Sequence, residues 1–70
     1  MNEIIFEIRE DEAEGGLVAR ALGQSIVTQA DSWEELRTNV RVAVRCHFEG
    51  GQAPRVIRLH RVFDGLLAMV

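Results

Sequence analysis

The chain has 70 residues, of which 47% are hydrophobic, and it carries a net charge of −3 with a pI of 5.2. A length of this order supports one small domain, which buries only about 60% of its unfolded surface and so gains from pairing with another surface. The acidic balance argues against a protein that coats nucleic acid.

The opening MNEIIFEIREDE lacks the basic region and apolar run of a signal peptide, and no stretch reaches the ~18 apolar residues of a membrane span, so a cytoplasmic protein with no membrane partner is expected. Residues 3–9 alternate Ile4, Phe6 and Ile8 against Glu3, Ile5, Glu7 and Arg9, the period of a half-buried strand. The run EDEAEGG (residues 10–16) breaks that alternation with charge and a Gly pair and predicts a hairpin turn. Its acids lack the order of a calcium loop, which leaves a solvated turn. Residues 17–22 and 25–29 give a second and a third strand around a bend at Gly23, and connections this short predict an antiparallel meander.

The one helix is expected between Asp31 and Phe48. Ser32 with Glu35 three residues on makes a capping box, the hydroxyl accepting from the Glu35 amide and the Glu35 carboxylate reaching back to the Ser32 amide. Trp33, Leu36, Val40, Ala43, Val44 and His47 recur at helical spacing and form an apolar stripe for a core. Gly50 and Gly51 then end the helix. Pro54 restarts an extended chain, in which Ile57, Leu59 and Phe63 fall on one side and Val56, Arg58, His60 and Val62 on the other, with Arg61 interrupting the apolar side. Asp64-Gly65 is a turn pair, and residues 66–70 form a fifth strand or a tail that needs burial against the body or across a dimer interface. The expected architecture is a single α+β domain over residues 1–70: an antiparallel sheet of three to four strands with one helix on one face, in the order β-β-β-α-β. A homodimer or higher homo-oligomer paired through a sheet edge is expected to complete the burial.

Candidate chemistry is sparse. The lone Cys46 excludes an internal disulfide framework and a four-Cys zinc site. Cys46 and His47 are adjacent on a helix and diverge by about 100°, so they do not converge on one ion even with His60 on the last strand nearby. His47 is therefore read as a structural, hydrogen-bonded residue, with a pocket role shared with His60 as the other reading. No third residue orients a Cys–His pair, and no catalytic residue, cofactor or metal ligand is assigned. Glu3, Glu7, Glu34 and Glu35 do not close a two-metal nuclease site, because no acid follows on the last strand before Asp64. Arg37, Arg41 and Arg45, at i, i+4 and i+8, form a basic ridge on the exposed side of the helix, and Arg58 extends it on the last strand. That ridge is either a docking surface for an acidic partner or RNA phosphates, or a solvated face. All eight basic residues are Arg, a bias attributed to coding because hyperthermophile proteins favour Lys and Glu.

Residues 10–36, EDEAEGGLVARALGQSIVTQADSWEEL, resemble the core signature of HicB-like antitoxin domains. The shared features are an acidic turn with a Gly pair (Gly15, Gly16), a bend (Gly23), a strand ending at Thr28 and Ala30, and a capped helix opened by Asp31, Ser32, Glu34, Glu35 and Leu36. AVRCHF (residues 43–48) and PRVIRLH (residues 54–60) look like a short stand-alone subgroup of that family. The resemblance implies a pared-down ribonuclease H-like fold. It also implies a non-catalytic interaction module that binds and masks a small RNA-cleaving toxin, a HicA-like protein of double-stranded-RNA-binding shape. Many members add a ribbon-helix-helix or helix-turn-helix segment that these residues do not contain, so direct DNA binding is not expected here. ALGQS (residues 21–25) stands where standard members carry a D-L-P-G-C-like stretch. The alternative is an orphan homodimeric accessory or small-ligand-binding domain, with His47, His60 and the arginine ridge lining a pocket.

Overall fold

The computed structural model describes residues 2–48, 51–62 and 69. Strands β1 (Glu3–Glu10), β2 (Leu17–Ala21) and β3 (Val27–Ala30) are followed by helix α1 (Trp33–His47) and strand β4 (Val56–Arg61). The result is the expected α+β fold, a four-stranded sheet in the spatial order β3-β2-β1-β4 with the helix on one face.

The period-two pattern of β1 decides which face is covered. Ile4, Phe6 and Ile8 point into the core and are fully buried, while Glu3, Ile5 and Glu7 on the other face are half-buried. Facing them from the helix are Leu36, Val40 and Val44. The sheet beneath the helix carries Ala19 and Ala21 on β2 and Ala30 on β3, side chains short enough to let a rod settle closely. The helix accordingly lies over β2 and β3, away from β4. Asn39, on the flank that faces β3, fastens this placement by donating from Nδ2 to the Gln29 carbonyl at 3.0 Å.

The first turn is closed by Asp11. Its carboxylate Oδ1 accepts from the Ala13 and Glu14 amides at 3.1 and 3.3 Å, and its carbonyl accepts from the Gly15 amide at 2.7 Å. At the helix start the Ser32 hydroxyl accepts from the Glu35 amide at 3.2 Å. The reciprocal bond from the Ser32 amide to the Glu35 carboxylate is not made among the described residues, so half of the capping box is present. The helix ends at an extended C-cap, Phe48, whose amide donates to the Val44 carbonyl. Gly50, expected to help end it, lies outside the described residues.

Two expectations are corrected. The sheet is mixed: β1 pairs antiparallel with β2, and β2 with β3, but β4 runs parallel to β1, with Glu3 opposite Val56 and Ile8 opposite Arg61. The reason is a count of reversals. Two hairpins leave β3 running the same way as β1, the helix returns, and the next strand again takes the direction of β1, whose second edge is open. The apolar stripe is also shorter than its periodicity. Trp33 and His47 share the angular sector of the buried residues yet are exposed, because they sit in the first and last turns, past the part of the rod that rests on the sheet. The expected strand or tail at residues 66–70 falls outside the described residues except for Met69, which is exposed.

Candidate functional site

Helical spacing turns Arg37, Arg41 and Arg45 to one exposed side of α1, as the sequence implies. Arg37 and Arg41 flank the buried row on the side opposite Asn39, and this flank faces β4. Together with Val40 they line a groove of about 200 Å³ whose floor is Ile57 and Leu59 of β4. Both floor residues pack against the core but remain half-buried, since the helix sits over the other end of the sheet. Arg45 lies further round the helix and is exposed. Among the described residues none of these three arginines has a carboxylate within ion-pair distance.

Arg58 lies elsewhere. Its position one residue out of phase with Ile57 and Leu59 places it on the uncovered face of the sheet, where its Nη2 donates to Glu3 Oε2 at 2.9 Å. The guanidinium holds the Glu3 carboxyl below the usual carboxylate range, and the pairing raises Arg58 in turn. On the helix side of the same strand, Arg61 is matched by Glu10, also at 2.9 Å. The ridge drawn from the sequence is therefore two surfaces on opposite faces of the sheet.

The histidines are likewise apart. His47 ends the helix on the covered side, where Nε2 lies 3.3 Å from Gln24 Oε1 and the ring meets Phe48 edge-on at 5.0 Å. His60 follows the phase of Arg58 and stands opposite Glu7 on the uncovered face. The sheet separates the two imidazoles, so they line no common pocket. Cys46 is a free, exposed thiol. Among the described residues no three His, Cys, Asp or Glu side chains are grouped as a metal site. Glu3 and Glu7 stand on the uncovered face, and Glu34 and Glu35 on the helix above the other one.

One feature was not singled out from sequence. Asp11, Glu14 and Gly15 of the first turn come against Gln29 and Asp31 beside the start of α1, forming a polar recess of about 220 Å³ that Glu35 also borders. Only the charge run at residues 10–14 hinted at it; the contribution of Asp31 depends on β3 lying against β2. No helix among the described residues is long and apolar enough to cross a membrane.

Comparison with known proteins places this arrangement in a family. No family model matches the chain, and no solved structure matches it. A UPF0150 protein of Archaeoglobus fulgidus is 54% identical over 53 residues, which cover 76% of this chain and 77% of that protein. A UPF0150 protein of Thermotoga maritima is 40% identical over 67 residues, covering 96% of this chain and 93% of its own length. With the second of these aligned over nearly the whole of both chains, the chain belongs to the UPF0150 family.

Proposed function

We propose that this chain is a non-catalytic protein-interaction module of the HicB-type antitoxin kind, which binds and masks a small RNA-cleaving partner. The observation that carries the reading is the groove between α1 and β4. An apolar floor of Ile57 and Leu59 lies beside two arginines that are uncommitted among the described residues, a combination suited to gripping a protein surface. The residues that carry the HicB-like resemblance support it by holding the frame: Gly16 packs on Ala30, Ser32 caps the helix, and Leu36 anchors it to the sheet. In this reading Arg37, Arg41 and Arg45, with Arg58 on the far face, are the partner-binding residues; they engage acidic surface of the partner, and the bound module masks it by bulk.

The test is co-expression with the product of an adjacent small reading frame that is toxic alone. Restored growth, together with co-purification of the two proteins, is expected. Arg37→Glu combined with Arg41→Glu is expected to weaken both. Persistent toxicity and separate elution of the two proteins would overturn the reading.

A further inference from the structure

We propose that the groove between α1 and β4 takes an amphipathic helix of a partner protein, laid beside α1. Its apolar stripe rests on Val40, Ile57 and Leu59, and carboxylates four residues apart on its flank face Arg37 and Arg41. The inference deepens the reading given above by naming the element that fills the groove. It rests on that groove being a protein-binding surface, whatever the partner's activity.

The layer above the sheet is half built. Strands lie about 4.8 Å apart and packed helices about 8–10 Å apart, so one helix covers about two strands. Helix α1 rests on β2 and β3. The other half of the order β3-β2-β1-β4 is β1 and β4, and among the described residues no second element lies over them. A helix placed one interhelical distance from α1 stands over that half. Ile4, Phe6 and Ile8 of β1 are already buried there, whereas Ile57 and Leu59 of β4 are half-buried. The apolar surface left on β4 is what a second helix would remove from water.

Charge selects what that helix carries. Arg37 and Arg41 are exposed one turn apart on the rim of the groove, on the same side of the sheet as its floor. Neither has a carboxylate within ion-pair distance among the described residues. Residues four apart on any helix share a face at that same spacing. A Glu-x-x-x-Glu flank can therefore meet both guanidinium groups while the adjoining stripe meets the floor. Arg61, farther along this face, is matched by Glu10 and adds no free charge, and Arg58 and His60 belong to the other face.

Other helices fit less well. A second copy offering its own α1 through this flank would set the arginines against themselves, because a two-fold contact pairs a patch with the same patch. A basic helix meets the same repulsion. A helix with an uncharged flank leaves both guanidinium groups partly desolvated without a partner.

The test uses the full chain and two synthetic amphipathic peptides of about 18 residues, long enough to populate a helix. They share one leucine stripe and carry either Glu or Lys four residues apart along its flank. In titrations followed by amide and methyl chemical shifts, the Glu peptide is expected to perturb Val40, Ile57 and Leu59 and to gain helical ellipticity. The Lys peptide is expected to do neither. Arg37→Glu combined with Arg41→Glu is expected to weaken the Glu peptide about tenfold or more and to let the Lys peptide bind, a gain that also shows the variant to be folded. Arg20→Glu, at an exposed position on the uncovered face, is expected to change neither result. Equal affinity for the two peptides, shifts confined to another face, or no response to either would overturn the proposal. So would methyl NOEs that tie Ile57 and Leu59 to residues 63–68 of the same chain, or to a second copy in a species of doubled mass. Growth rescue without peptide binding would remove the helix and leave the antitoxin reading; peptide binding without rescue would do the reverse.

Discussion

A Cβ built on Gly16 would stand 2.7 Å from the carbonyl oxygen of Ala30. The first turn and the end of β3 are that close because Leu17 and Ala30 are paired across the β2–β3 ladder, immediately beside the glycine. Gly16 also holds φ at +86°, where other residues are strained. Gly16→Ala is expected to lower stability by about 3 kcal/mol, combining left-handed strain with a clash against backbone that cannot rotate away. Gly15, at φ +78° with open space around it, should lose only about 1 kcal/mol on the same change. Urea unfolding midpoints of the two variants check this, and equal losses would deny the contact with Ala30 any role.

Burial separates two helix residues that periodicity treats alike. Leu36 is fully buried and Trp33 is 38% exposed. Leu36→Ala is expected to cost about 3 kcal/mol through lost transfer energy and a residual cavity, a large share of the stability of so small a domain. Trp33→Ala should cost less than about 1 kcal/mol despite removing the larger side chain. Thermal unfolding of the pair decides it; a greater loss at Trp33 would mean that the first turn is packed against something.

The pair of Glu3 and Arg58 predicts a specific pH dependence. Hydrogen bonding to the guanidinium, its charge adding to the effect, holds the Glu3 carboxyl below its ordinary value in the folded state. Its contribution is therefore present above the ordinary carboxylate range and is lost as the pH falls through the lowered folded value. Glu3→Gln should be less stable than the parent near neutral pH and indistinguishable from it by about pH 2. Because Arg58 is well exposed and Glu3 only half-buried, the difference will be small, and it will shrink further in salt. Direct titration of the Glu3 carboxyl by NMR, with and without Arg58→Ala, gives the sharper reading: the variant should restore the ordinary value.

Half a capping box leaves its energy in one bond. Ser32→Ala is expected to cost about 1 kcal/mol, while Ser32→Asp, which also accepts and suits the positive helix end, should cost little. Glu35→Ala should be nearly neutral, since its carboxylate does not reach back. Unfolding free energies of the three variants test this, and a loss at Glu35 matching that at Ser32 would restore the reciprocal bond.

Local signals were legible where the cause was local. The alternation of Ile4, Phe6 and Ile8, the serine cap and the spacing of Leu36, Val40 and Val44 each identified an element and the face it buries, because strand and helix periods act over a few residues. What the sequence hid depends on where elements land. The parallel sense of β4 follows from counting reversals through the whole chain, which no residue in β4 announces. His47 and Trp33 fit the stripe by angle and leave it by axial position, a quantity set by where the rod meets the sheet. The arginines were visible as a row, but their division between groove and uncovered face required the phase of β4 against β1. The UPF0150 relatives fix the family, and the antitoxin reading remains our proposal.

The pairing of β1 with β4 has a consequence for how the protein comes into being. The earliest strand is also an inner one, and its register runs from Glu3 beside Val56 to Ile8 beside Arg61, so the ladder joins the two most widely separated strands among the described residues. Contacts of such sequence separation slow the search for the native state. On the ribosome, β1, β2 and β3 can emerge and pair while one flank of β1 stays bare until β4 arrives. For that interval Ile4, Phe6 and Ile8 lack the cover of Ile57 and Leu59, and the nascent chain is at its most vulnerable to wrong neighbours.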